Sequence, residues 1–410
     1  MTGIVGCLEV ATYRLSFTRR HAVGGSICKT GVHGLAAAFL SARAGDLRGL
    51  WMKNNVSWWR TGFNNGEAEA IARAIAQEHV SQGPVVAEFE RRLAAYLGVP
   101  YVVATTSGST ALLMSSWAAG IGPGDEVIVP NRTWIATAHA PLLLGASVKL
   151  VDVEPGRPII NAELIERAIT TRTKAIVPVH MCGRSADMRA INRIARRHGL
   201  TVIEDAAQAL GSRNRDGFLG TQSDMGCFSF SVAKVISTGQ GGFVATKSEE
   251  IYRRLISMRT HGVGDIVNAQ WDRPGFNFRF TDILAAVGIE QLKLLPERIE
   301  KIKKIYQTYV EGLSGIPFIT LIPVNLDTGE VPVYVEALCE SRERLIDFLA
   351  AMGIQCRPFY PDLNHARYFN DSGHYANSEV FGRAGLYLPA GPEQPISNVE
   401  RVISAIREFR

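Results

Sequence analysis

The stretch 201-TVIEDAAQALGS-212, followed after a loop by 224-DMGCFSFSVAKVISTGQGGFVAT-246, decides the fold. An apolar run, Thr201 to Ile203, ends in an acid pair, Glu204 and Asp205. An aromatic strand, Cys227 to Phe230, leads through Ser231, Val232 and Ala233 to a single lysine, Lys234. A glycine-rich turn (Gly239, Gly241, Gly242) and a strand from Phe243 to Thr246 close the unit. A carboxylate at the end of a buried strand is costly unless a cation meets it. A lysine among small apolar residues is costly as an ammonium, so its pKa should fall.

An easily neutralised amine can attack a carbonyl. One coenzyme answers both sites: pyridoxal 5'-phosphate (PLP), whose aldehyde takes a lysine and whose protonated ring nitrogen takes an aspartate. Taken singly, Asp205 reads as a helix cap and Lys234 as a surface residue, since most such residues are exposed. Their order and shared apolar setting favour the cofactor reading.

Working outward, strands alternate with helices. Tyr101–Ala104 reads as a strand, then Thr105-Thr106-Ser107-Gly108-Ser109-Thr110 feeds a helix over Ala111–Ala119. Such a turn offers N–H groups, hydroxyls and a favourable dipole to a phosphate. An ordinary Ser/Thr cap is the alternative. The strand Glu126–Pro130 is followed by Asn131-Arg132-Thr133-Trp134, where the indole either stacks on a flat ring or packs in the core. Strands are also expected at Val148–Val153 and Ala175–Val179, with helices at Ala162–Ile169 and Met188–His198. This alternation predicts an α/β fold with a mostly parallel, doubly wound sheet and ligands at the strand carboxyl ends. Thr110, Trp134, His180 and Asp205 all fall near such ends, and His180 reads equally as a site residue or a hydrogen-bonded packing residue.

Upstream, Gly66–Glu78 and Val85–Leu97 read as helices. Downstream, an aromatic segment 275-GFNFRFTD-282 precedes a long helix, Ile283–Tyr309, and reads on its own as packing. Beyond it, strands at Phe318–Leu321, Val331–Glu336 and Ile354–Phe359 and helices at Ser341–Met352 and Val399–Phe409 suggest a smaller α+β domain. The division expected is a large domain over 52–300 and a small one over 301–410. Residues 1–51 carry six Lys/Arg against two acids with weak periodicity. They read as a loosely ordered extension or as sequence upstream of a true start at Met52.

With 410 residues, 46% hydrophobic and 20% charged, the chain has the balance of a globular protein. A net charge of +5 without Lys/Arg blocks among aromatics does not suggest nucleic acid, though it suits an anionic substrate. The six cysteines show no CxxC pair and no zinc spacing, so no metal is expected; scattered thiols fit a cytoplasmic location. No apolar run is long enough to span a membrane.

The motifs SQGPVVAEFE, SGSTAL, GIGPGDEVIVPNRTWIATA, PVHMCG, VIEDAAQALGS, FSFSVAK, GQGGFVAT, GFNFRFTDILAAVGIEQL and RPFYP, in this order over roughly residues 60–410, resemble the DegT-type sugar aminotransferases. That family sits within the fold type I PLP superfamily of aspartate aminotransferase. RTHG and GFNFRFTD point within it to the GDP-perosamine synthase subgroup. The resemblance implies that Lys234 holds PLP and shuttles a proton, and that Asp205 keeps the pyridine nitrogen protonated. It implies further that Trp134 stacks on the ring, that Gln208 reaches its hydroxyl side, and that Gly108, Ser109 and Ser229 bind the phosphate. Asn277 would add a phosphate contact from a neighbouring subunit, so a homodimer with a shared site is implied. The implied activity moves an amino group from L-glutamate to a nucleotide-linked 4-keto-6-deoxy sugar. A branch of the family with histidine at the lysine position deoxygenates sugars instead, and Lys234 argues against it. SGSTAL has Ser109 where threonine is common, and SVAK is an unusual setting for the lysine. A cyclitol or amino-shikimate aminotransferase and a PLP-binding regulator without turnover are the alternatives.

Overall fold

The computed structural model describes residues 55–63, 66–264, 267, 269–271, 273–369 and 371–410; the extension expected over 1–51 lies outside them. Seven strands form one sheet in the order Tyr101–Thr105, Gly242–Thr246, Met225–Ser229, Thr201–Asp205, Thr173–Ile176, Glu126–Pro130, Ser147–Val151. Only Gly242–Thr246 runs against its neighbours; the others pair in parallel from Met225–Ser229 onward. The expectation of a mostly parallel α/β sheet is borne out.

Side chains alternate across a strand, so each strand feeds two layers. Val127, Val129 and Ile203 join a core with the helices Gly108–Ala118, Ala136–Leu143 and Glu249–Arg259. Ile128 and Val202 face the opposite way, onto Ala162–Ala168 and Met188–His198. The same alternation splits the acid pair: Asp205 follows Ile203, and Glu204 follows Val202. The helix Pro84–Leu97 covers the antiparallel end, where the rings of Phe228 and Phe243 stack at 4.4 Å and 4°.

The C-terminal region forms a four-stranded antiparallel sheet in the order Ile319–Leu321, Val335–Cys339, Gly385–Leu388, Arg357–Pro358. Its helices include Arg342–Ala351 and Ile396–Glu408. Several expected boundaries move, for local reasons. The long helix expected over Ile283–Tyr309 is two helices, Asp282–Lys293 and Leu295–Leu313, because Pro296 cannot donate to the turn before it. The strand expected at Val331–Glu336 is displaced to Val335–Cys339, past Pro332, which has no N–H for a ladder. Ser341 occupies an N-cap position but makes no capping bond. The helix Ala376–Ala384 and the strand Gly385–Leu388 were not expected.

A strap at residues 55–61, which the sequence assigns to the large domain, packs instead on the C-terminal sheet. Val56 belongs to that sheet's core. The Val56 N–H donates to Gly353 O at 2.8 Å, and the Ala390 N–H donates to Trp58 O at 2.9 Å. A Cβ at Gly391 would lie 2.5 Å from Arg60 O, so the crossing requires a bare Cα there. Among the described residues, no helix is long and apolar enough to cross a membrane.

Candidate active site

A cavity of about 690 Å³ opens at the carboxyl ends of the parallel strands. Its walls bring together Gly108, Ser109, Trp134, Asp205, Gln208, Ser229 and Lys234. Seven of the nine residues marked out from sequence therefore meet in one space.

Lys234 lies just past the strand Met225–Ser229, in a turn where its N–H donates to Ser231 O at 3.1 Å. Its side chain is half-buried and lines the cavity. Among the described residues Nζ has no hydrogen-bond or ion-pair partner; it lies 5.8 Å from the ring centroid of Tyr334. Burial pulls its pKa down to about 8, with the charges of Asp205 and Cys182 acting the other way.

Asp205 ends its strand buried at 5% exposure. Thr137 Oγ1 donates to its Oδ2 at 2.7 Å, and the Ala207 N–H donates to Oδ1 at 3.1 Å. Desolvation still pushes its pKa up, only partly opposed by those bonds and by the nearby Lys234 and His180. The carboxyl thus lacks a full counter-charge and faces a cavity that could supply one. Thr137 was missed from sequence; its signal is the spacing of four from Thr133, whose hydroxyl meets its own at 2.9 Å.

Glu204 is the opposite case. Its Oε2 accepts from the Gly220 N–H at 2.8 Å, and its Oε1 from the Gln222 N–H at 2.7 Å and Ser223 Oγ at 2.9 Å. His180, fully buried, joins this cluster and not the cavity lining. Its Nδ1 accepts from the Ala186 N–H at 3.3 Å, so Nε2 carries the proton and donates to Glu204 Oε2 at 2.8 Å. Its backbone N–H donates to Asp205 O at 3.0 Å. That places it as a brace for the strand end.

Gln208 Oε1 accepts from the Cys182 N–H at 2.9 Å, which fixes the amide orientation and leaves Nε2 able to donate. Cys182 reaches that position through a left-handed backbone, φ 53°. Ser107 caps the helix Gly108–Ala118, accepting from the Thr110 N–H at 3.0 Å, so the capping alternative is realised at a residue that also lines the cavity. A Cβ at Gly108 would lie 2.9 Å from Ser229 Cβ; glycine lets this helix start close against the strand. Trp134 is 55% exposed, with its ring edge-on to Tyr360 at 5.5 Å, so it is not a core residue. Asn277 is exposed, outside the lining, and accepts from Arg279 Nε at 2.9 Å.

A desolvated lysine and an under-compensated aspartate in one pocket of an α/β sheet define an enzyme whose amine is available to a carbonyl. The sequence pattern of the DegT/DnrJ/EryC1/StrS aminotransferase family matches residues 63–407, and the chain belongs to that family. It is 36% identical over 336 residues to the GDP-perosamine synthase of Caulobacter vibrioides, covering 80% of this chain and 90% of that one. It is also 36% identical over 346 residues to the dTDP-3-amino-3,4,6-trideoxy-alpha-D-glucose transaminase of Streptomyces venezuelae, covering 83% and 91%. The crystal structure of S. venezuelae DesV, in complex with a ketimine intermediate, superposes with a TM-score of 0.83 at 34% identity over 87% of this chain and 98% of that one. A Streptococcus pneumoniae protein assigned as a sugar aminotransferase, solved in its PLP form, superposes on this chain with a TM-score of 0.82 at 25% identity over 87% of this chain and 98% of that one. The expectation of a transaminase of this family is borne out, and these relatives do not favour a regulator without turnover.

Proposed function

We propose that this chain binds PLP and moves an amino group from L-glutamate to the keto group of a nucleotide-linked 4-keto-6-deoxy sugar. The observation that carries this reading is the unpaired Lys234 amine, brought near neutrality by burial, in one cavity with Asp205. The residues fit the coenzyme. Lys234 would hold its aldehyde carbon, and Asp205, short of a counter-charge, would meet the ring N–H. The helix start at Gly108 and Ser109, closed against Ser229, is a cradle a Cβ would fill and suits a phosphate. Trp134 would cover a ring face, and Gln208 Nε2 would donate to the ring hydroxyl. Asn277, exposed on a single chain, would complete the phosphate site of a partner in a homodimer.

When bound, PLP supplies an electron sink that stabilises negative charge on the carbon bearing the amine. The chain's own contribution is proton handling and orientation. Lys234 Nζ would carry a proton between the substrate carbon and the coenzyme, taking it from the donor's carbon in the first half of the exchange and delivering one to the acceptor's carbon in the second. Asp205, braced by Thr137 and the Ala207 N–H, holds a positive charge at the far end of the cavity. His180 acts through backbone and Glu204, as a positioning residue. A cytoplasmic location follows from the nucleotide-sugar substrate in this reading.

The relatives that carry GDP- and dTDP-sugar names support a nucleotide sugar over a cyclitol or amino-shikimate acceptor. Purified protein given PLP should show a visible absorbance band that L-glutamate bleaches and a GDP- or dTDP-linked keto sugar restores. A band that ignores glutamate would sink the reading.

A further inference from the structure

Three charged side chains line the cavity: Asp205, Lys234 and Arg357. The proposed reaction uses the first two. Arg357 is exposed and, among the described residues, has no ion-pair partner. Its guanidinium lies 4.1 Å from the ring centroid of Trp58. Trp58 is itself fixed. Its backbone N–H donates to Gln355 Oε1 at 3.3 Å, and its ring stacks on Tyr334 at 5.7 Å and 25°. Tyr334 in turn donates through its hydroxyl to Ala233 O at 2.7 Å, next to Lys234. An aromatic wall therefore runs from Arg357 to the lysine turn.

The same strap grips that turn from a second side. Thr61 Oγ1 donates to Val232 O at 2.5 Å, and Trp59 Nε1 points to the same oxygen at 3.2 Å. Trp58 and its neighbours precede the residues 63–407 that carry the family pattern.

A guanidinium lying on an indole face keeps its in-plane N–H groups free. Those groups form a fork that matches two oxygens of a carboxylate or a phosphate. We propose that Trp58 and Arg357 together form an anion-recognition subsite for a substrate, so that the strap is a specificity element. This rests on the transaminase reading, in which the donor brings carboxylates and the acceptor a nucleotide phosphate; the shared chemistry is the oxyanion.

The test uses PLP-loaded Arg357→Gln, Trp58→Ala and Trp58→Phe proteins. Arg357→Gln raises one substrate's KM about tenfold or more, the size of a lost charge-assisted bond, and moves kcat and the other KM by less than about twofold. Trp58→Ala raises the same KM by a smaller factor, and Trp58→Phe, which keeps a ring under the guanidinium, restores it. Calorimetric titration with 2-oxoglutarate and with GDP, dTDP and UDP separates the sources. Weakened 2-oxoglutarate binding assigns a donor carboxylate, and weakened nucleotide binding assigns a phosphate. The subsite is refuted if Arg357→Gln weakens no ligand by more than about twofold, or if the Trp58 variants act on the other substrate. If the wild-type protein fails to transaminate, the transaminase reading is what fails, and the titrations still report on the subsite.

Discussion

Arg184–Glu336 and Lys234–Asp205 each put a cation and a carboxylate inside the protein, and they are built to opposite ends. Arg184 bonds Glu336, and its remaining donors reach Pro323 O at 2.8 Å and Ile322 O at 3.0 Å. Both side chains are sealed from solvent, at 0% and 2% exposure. Nothing is left for a ligand to satisfy. Among the described residues Lys234 meets no carboxylate, and the Asp205 carboxylate is held only by a threonine hydroxyl and one N–H. A closed pair holds a fold together; an open one keeps two strong groups unsatisfied until something enters.

The contrast can be broken by mutation. Lys234→Ala should cut transamination by about 10²–10⁴-fold or more, the range for a lost acid–base group. The cofactor-free variant should melt no lower than the wild type, because it loses a desolvated, unpaired amine. A melting temperature that drops with activity would mean that the lysine is structural after all. Arg184→Leu should show the reverse pattern, losing about 3–5 kcal/mol of unfolding free energy in urea by stranding Glu336. Arg184→Leu combined with Glu336→Leu should recover much of that loss.

The pH dependence sharpens the comparison with a smaller effect. Lys234 titrates in the folded protein near 8, below its ordinary 10.5. Below pH 8 both folded and unfolded chains keep the proton, and the folded state carries the whole desolvation cost. Between those values the unfolded chain binds more protons, so this residue's contribution to stability rises with pH. Above 10.5 the cost is gone. In cofactor-free protein, Lys234→Ala should therefore raise stability by at most about 3 kcal/mol below pH 8, and this gain should shrink to nothing as the pH rises to 10.5. Parallel urea curves at several pH values read the difference between variant and wild type directly, and a flat or rising difference would contradict the burial argument.

Much of this was legible because it depends on short-range pattern. The apolar run ending in Asp205, the small residues before Lys234 and the Gly/Ser turn at 107–109 each carry their own signal. What was illegible depends on which face a residue takes and on contacts between distant segments. Alternation along 201–205 separates Glu204 from Asp205, yet only the fold tells which of the two faces the cavity. His180 looked like a site residue because it sits at a strand end; Glu204 on the other face claims its ring. The tryptophan pair at 58–59 has no local periodicity, and its partners lie about 170 to 330 residues away in sequence, at Val232, Tyr334, Arg357 and Ala390. Pro296 and Pro332 do carry a local signal, since each displaces an element end in the direction that a missing N–H dictates.

The central claim is that the open amine at position 234 belongs to the coenzyme. Incubating the purified protein with PLP, reducing with borohydride and mapping the labelled peptide by mass spectrometry tests it most directly. The account predicts a pyridoxyl mass on the peptide carrying Lys234, lost in Asp205→Ala protein at limiting PLP. A label spread over other lysines, or no label at all, would contradict it.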